Sequence, residues 1–140
     1  MSAVYLASAT ATGEGRNGHS RSSDGILDVD LATPVELGGP GGATNPEQLF
    51  AAGYAACLLS ALKLVARRAK VDIADTAVTV DVGLNSNGSG GFQLSAALHF
   101  EMSGVDQATA DRLVATAHHV CPYSNATRGN IDVSVDTLVG

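Results

Sequence analysis

Asn45-Pro46-Glu47-Gln48-Leu49-Phe50-Ala51-Ala52-Gly53-Tyr54-Ala55-Ala56-Cys57-Leu58-Leu59-Ser60-Ala61-Leu62-Lys63-Leu64-Val65-Ala66-Arg67-Arg68-Ala69-Lys70 reads as one long helix. Asn45 suits the cap, Pro46 suits the first helical position, and Gln48 stands three residues past the cap. Arg67, Arg68 and Lys70 gather where the negative pole of the helix dipole favours cations, so the helix is expected from Pro46 to about Ala69. Leu49 to Ala66 is almost wholly apolar and near the length of a bilayer span, but it contains Gly53, Ser60 and Lys63, and the rest of the chain reads as amphipathic soluble structure. The expectation is a core helix, with no membrane partner. Apolar side chains fall on nearly every face, so this helix must be covered all round, and a homodimer would supply cover that a five-stranded domain lacks.

On the N-terminal side, Val4 to Thr12 and Ile26 to Leu31 alternate apolar with polar or small residues, which predicts two strands joined by a mobile Gly-rich link. Leu37-Gly38-Gly39-Pro40-Gly41-Gly42 is a breaker cluster leading into the helix. On the C-terminal side, Thr76 to Leu84 and Phe92 to Met102 alternate again around Asn85-Ser86-Asn87-Gly88-Ser89-Gly90-Gly91, the strongest hairpin signal in the chain. Asp106 to His119 predicts a second helix with Leu113, Val114, Ala117 and Val120 as its apolar stripe. Pro122 interrupts it, and Ile131 to Val139 reads as a last strand. The order β-β-α-β-β-α-β indicates an α+β fold, since hairpins outnumber crossovers, and 140 residues fit one domain, residues 1–140.

A formal charge of -6, with only eight scattered Lys and Arg, gives no stripe to follow a phosphate backbone, so nucleic acid is excluded as a partner. Met1 to Thr12 lacks the basic and apolar regions of a secretory signal, and a cytoplasmic location is expected. Gly13-Glu14-Gly15-Arg16-Asn17-Gly18 matches the dinucleotide fingerprint G-x-G-x-x-G, but a strand follows rather than a helix, so no helix N-terminus receives a pyrophosphate. Gly38 to Gly42 precedes a helix yet lacks the Lys-Ser/Thr of a phosphate loop and reads as a turn. Asn87-Gly88-Ser89 and Asn125-Ala126-Thr127 are glycosylation sequons without meaning unless secreted.

Cys57 and Cys121, 64 positions apart, are the only cysteines. Cys57 sits mid-helix among Ala55, Ala56, Leu58 and Leu59, where a small buried hydrophobe is the plain reading. A reactive thiol must ionise, and an unperturbed Cys is only about 3% thiolate at pH 7, so a nearby cation is required. Gly53, Tyr54, Ser60 and Ala61, the neighbours on the same helix face, carry none, and Arg67, Arg68 and Lys70 lie more than two turns away. Arg16, in a Gly-flanked loop, is the best candidate, with Arg128 in reserve. Glu47 is placed to orient Arg16, or simply to complement the helix dipole. About 15 Å of helix separates Glu47 from Cys57, so two such helices packed antiparallel would bring Glu47 of one subunit toward Cys57 of the other.

Cys121 ends the second helix before Pro122, where its sulfur could be presented at a helix terminus rather than deep in a core. A resolving thiol or a structural bridge, worth about 4 kcal/mol for a loop of this length, both remain open. His118, His119 and the cysteines do not have the spacing of a zinc site, because adjacent helical histidines point about 100° apart. No metal or cofactor is expected.

Three separated motifs resemble one family. Gly15-Arg16-Asn17-Gly18 with Asp24-Gly25-Ile26-Leu27-Asp28-Val29, Asn45-Pro46-Glu47-Gln48 through Cys57, and Val120-Cys121-Pro122-Tyr123-Ser124-Asn125-Ala126-Thr127-Arg128-Gly129-Asn130-Ile131 look like the organic hydroperoxide resistance proteins within the OsmC-like family. The resemblance implies an α+β homodimer in which strongly twisted antiparallel sheets wrap two central helices, with two active sites at the subunit interface. It implies that Cys57 is the peroxidatic thiol, that Cys121 resolves it as a Cys57–Cys121 disulfide, and that Arg16 with Glu47 activates Cys57 and binds the peroxide. Alkyl and fatty-acid hydroperoxides are the implied substrates and a protein-bound dihydrolipoyl group the implied reductant. A redox sensor or small-ligand binder of the same family is the alternative.

Overall fold

The computed structural model describes residues 2–140, which form two compact units, the first ending at Leu49 and the second running from Phe50 to Gly140. In the first, β1 (Ala9–Thr12), β2 (His19–Ser22) and β3 (Asp28–Asp30) form an antiparallel sheet in that order. The strand expected from Val4 begins only at Ala9, because the register of β1 pairs just Ala9 to Thr12 with β2, and Val4, Tyr5 and Leu6 stay exposed. The link expected to be mobile contains β2. Its turn depends on glycine at Gly18, where a Cβ would stand 2.0 Å from the Thr12 carbonyl oxygen. Ile26 and Leu27 belong to the β2–β3 turn rather than to a strand. Asp24 caps that turn by accepting from the Ile26 amide at 3.0 Å, and Asp24 is held below its ordinary range by the Ser22 hydroxyl and this amide. The ring of His19 lies between Asp28 and Asp30.

The long helix α1, Pro46–Arg68, starts where the sequence placed it. Asn45 Oδ1 accepts from the Gln48 amide at 2.9 Å, satisfying one of the donors a helix start leaves orphaned. At the other end Lys70 takes the left-handed conformation (φ 57°), and the Val71 amide returns to the Ala66 carbonyl at 2.9 Å.

In the second unit, β4 (Ala74–Ser86) and β5 (Phe92–Ser103) make the expected hairpin, and Asn87 Oδ1 secures its turn by accepting from the Ser89 and Gly91 amides. α2 (Gln107–Val120) is capped by Asp106, whose carboxylate accepts from the Thr109 amide at 2.8 Å. β6 (Val133–Val139) pairs with β5 in parallel. The all-antiparallel expectation is corrected here, because the chain reaches β6 from β5 through helices, and such a crossover is what a parallel pair requires. Pro122 does not merely stop α2: it opens a further short helix, α3 (Pro122–Thr127), from its favoured first position.

Ala96, Leu98, Phe100 and Met102 alternate inward along β5 and meet Leu58, Leu62 and Val65 of α1 and Leu113, Val114 and Ala117 of α2 in one hydrophobic core. Leu58, Leu62, Leu98 and Phe100 are fully buried, each worth about 1.5–3 kcal/mol of transfer free energy. On the opposite face of the sheet His99 bridges Asp81 of β4 (3.0 Å) and Asp136 of β6 (2.9 Å). The face of α1 opposite the core keeps Ala52, Ala56, Ser60 and Lys63 exposed.

Candidate active site

Core packing sets the position of Cys57. Tyr54, Leu58 and Ala61 bury one face of α1, which leaves Cys57 half-buried at the margin of the core. Cys121 is the junction residue of α2 and α3. Its extended conformation (φ -63°, ψ 124°) ends one helix and starts the next, its amide donating to the Ala117 carbonyl and its carbonyl accepting from the Asn125 amide. It stands at a helix terminus as expected, yet its side chain is fully buried in the core rather than presented outside it.

Both thiols are free, and the Cys121 thiol lies against that of Cys57. Burial, above all, pushes the Cys57 thiol up from its ordinary range; the hydrogen bond and the charge interaction with Cys121 push it the same way, and the Tyr123 amide pointing at the sulfur opposes them. The surroundings of Cys57 within this chain thus favour the thiol over the thiolate. The cation demanded by the sequence argument is needed all the more.

Three of the six Phe and Tyr residues gather beside these thiols. Phe50 meets Tyr54 and Tyr123 edge-on with ring centres 5.9 Å apart, and Tyr54 and Tyr123 lie 5.6 Å apart. Gly53 makes room for them. A Cβ there would come within 2.7 Å of the Tyr123 hydroxyl, which accounts for a glycine in mid-helix at a cost of roughly 1 kcal/mol relative to alanine. Leu58, one turn further along α1 from Tyr54, is a fully buried core residue.

The tyrosine carries a network that the sequence did not announce. Tyr54 Oη bonds Ser124 Oγ at 2.8 Å and Thr127 Oγ1 at 3.0 Å, and His118 Nδ1 bonds Ser124 Oγ at 2.7 Å. Burial pushes His118 below its ordinary range, with the charges of Arg128 and His119 adding to the effect. Arg128, the reserve cation, donates to the His118 carbonyl at 3.0 Å and to Asn125 Oδ1, so it braces the α2–α3 corner.

Arg16 and Glu47 meet in the first unit as a two-pronged pair, Nη1 to Oε1 at 2.6 Å and Nη2 to Oε2 at 3.3 Å. Glu47, in the first turn of α1, is the less exposed partner, 17% against 40% for Arg16. A planar guanidinium is thus held by a carboxylate through two hydrogen bonds. The four predicted residues form two pairs, one in each unit. No group of His, Cys, Asp and Glu suited to a metal ion occurs among the described residues.

Residues 39–136 match the family profile described as OsmC-like protein. The organic hydroperoxide resistance protein of Xanthomonas axonopodis pv. citri is 52% identical over 134 residues, covering 94% of this chain and 93% of its own length. The chain is an OsmC-like protein of the organic hydroperoxide resistance group. An organic hydroperoxide resistance protein of Legionella pneumophila has the same fold, with a TM-score of 0.94 at 52% identity, covering 99% of this chain and all of that one, 100%. A Vibrio cholerae protein of the same description, crystallised with captopril in one of its active sites, gives 0.91 at 51% identity, with 99% and 94% covered. For this OsmC-like chain the α+β architecture is thereby established along nearly its whole length.

Proposed function

We propose that this chain is a cysteine peroxidase that reduces organic hydroperoxides to alcohols and so defends the cell against organic peroxide stress. The observation that carries the reading is the abutment of two free thiols, one half-buried and one fully buried, beside a cluster of aromatic rings. The names of the relatives point the same way.

In the proposed cycle the Cys57 thiolate attacks the distal peroxide oxygen, the O–O bond breaks, an alcohol leaves, and Cys57 becomes a sulfenic acid. Arg16, held by Glu47, supplies the charge that favours the thiolate and donates to the peroxide and its developing alkoxide. Phe50 and Tyr123 accommodate the alkyl tail. The Cys121 sulfur then attacks the sulfenic sulfur, water leaves, and a Cys57–Cys121 disulfide forms, which the dihydrolipoyl group of a lipoylated protein reopens by exchange. No cofactor takes part. The active form is a cytoplasmic homodimer of residues 1–140. Exposed Val4, Tyr5, Leu6 and Ile26, and the open face of α1 at Ala52 and Ala56, support that assembly by leaving apolar surface for a second subunit.

Steady consumption of cumene hydroperoxide with dihydrolipoamide is the test. Wild type turns over continuously, and Cys57→Ser loses at least ~1000-fold because the nucleophile is gone. A Cys57→Ser protein as active as wild type would refute the assignment, and a single stoichiometric oxidation without turnover would identify a sensor.

A further inference from the structure

Two rungs join α1 to the α2–α3 corner. Tyr54 touches Ser124, and Cys57 touches Cys121: three residues along α1 in one direction match three residues along the corner in the other. On a helix, residues three apart share a face, so the two rungs stand side by side on the same seam. The tyrosine rung is doubly tied, to Ser124 of the first turn of α3 and to Thr127 at its last residue, and all three side chains are buried. Tyr54 Oη stands between Ser124 Oγ and Thr127 Oγ1, Ser124 Oγ also meets His118 Nδ1, and the Thr127 hydroxyl donates to the Ser124 carbonyl at 3.3 Å, so every hydroxyl has at least one fixed partner. The other rung has no hydrogen bond of comparable strength, since thiols are weak donors and acceptors.

We infer that Tyr54, Ser124 and Thr127 are positioning residues for the resolving step, a clasp that fixes the register of α3 on α1 and so holds the Cys121 sulfur opposite Cys57. The inference rests on the peroxidase reading above, and it adds that disulfide closure is set by a hydroxyl clasp one helical turn from the thiols. In that step the Cys121 sulfur bonds to the Cys57 sulfur as the Cys57 S–O bond breaks. Hydroxide leaves and takes the thiol proton as water; Cys57 is reduced, Cys121 is oxidised, and the hydroperoxide consumed earlier is the net oxidant. A misplacement of about 1 Å costs on the order of 100-fold in rate for oriented reactants, so loosening the clasp acts on closure and leaves the first oxidation alone.

The experiment compares wild type, Tyr54→Phe, Ser124→Ala and Ser124→Thr, each mixed with one equivalent of cumene hydroperoxide. The alcohol burst reports the first oxidation, and trapping with dimedone, followed by mass spectrometry, reports sulfenic acid against disulfide. Tyr54→Phe and Ser124→Ala should give a burst within about twofold of wild type and closure at least ~10-fold slower, with Cys57 accumulating as sulfenic and then sulfinic acid. Ser124→Thr, which keeps the hydroxyl, restores closure. Closure within twofold of wild type in Tyr54→Phe overturns the clasp, and so does an equal slowing of burst and closure, which marks a merely structural role. If Tyr54→Phe fails to fold, Thr127→Val takes its place under the same criteria. A glutathione redox buffer separates the two readings. There the effective concentration of Cys121 at Cys57 should fall at least ~10-fold in Tyr54→Phe, an outcome independent of peroxide, whereas a wild type without any alcohol burst refutes the peroxidase reading itself.

Discussion

The two units solve the placement of reactive groups by opposite means. From Phe50 onward, a continuous hydrophobic core holds Cys57 and Cys121, and the thiols sit where packing puts them. Up to Leu49, among the described residues, only Leu31, Ala32 and Asn45 are buried, and Arg16 and Glu47 are placed by a carboxylate fork, tight glycine turns and side-chain caps. Packing gives a fixed position at the cost of desolvating the thiol. Polar contacts leave the Arg16 guanidinium open to solvent on one side.

The largest expected effect tests the packed side. Leu62→Ala removes a fully buried side chain of α1 and should lower unfolding free energy by about 2–5 kcal/mol, measured by denaturant melts; Ile26→Ser, at an exposed position of the first unit, should change it by less than ~0.5 kcal/mol in the dissociated subunit. A comparable loss at Ile26 would break the contrast. On the polar side, Arg16→Ala should slow the first oxidation of Cys57 by more than ~10-fold with little change in melting, since about one pKa step of thiolate stabilisation is lost. An unchanged burst rate would move the activating role elsewhere.

The smallest effect sharpens the comparison through histidines. His19 is raised above its ordinary 6.5, first by its bond to Asp30 and then by Asp28, and His99 by Asp136 and then Asp81, whereas desolvation lowers His118. NMR titration should find midpoints for His19 and His99 above 6.5 and for His118 below it. A raised histidine favours the fold fully below 6.5, and its contribution is lost as pH rises through the raised value. A lowered one acts in the other sense, weakening the fold as pH falls below 6.5. A common midpoint for all three would erase the distinction between exposed ion pairs and a desolvated ring.

Local signals were legible where one residue type dictates one conformation. Asn45-Pro46 fixed the start of α1, and the Asn-Gly-rich turn fixed the β4–β5 hairpin. β2 escaped because His19-Ser20-Arg21-Ser22 has no apolar alternation; its strand exists through pairing on both sides. α3 escaped because Pro122 ends one helix and opens another with equal propriety. Of the proposed site, the two cysteines and the Arg16–Glu47 pair could be named from motif. Tyr54, Ser124 and Thr127 could not, since a contact across 70 residues leaves no periodic trace and a tyrosine in an apolar helix looks like core.

The desolvation of Cys57 has a consequence for the protein at rest. Burial that favours the protonated sulfur also slows its reaction with disulfides, quinones and alkylating electrophiles, since the thiolate is the nucleophile in each case. Selectivity then comes from refusal. On the proposed peroxidase reading, a ligand that shifts the balance toward thiolate as it binds is the one that gains the sulfur's full nucleophilicity.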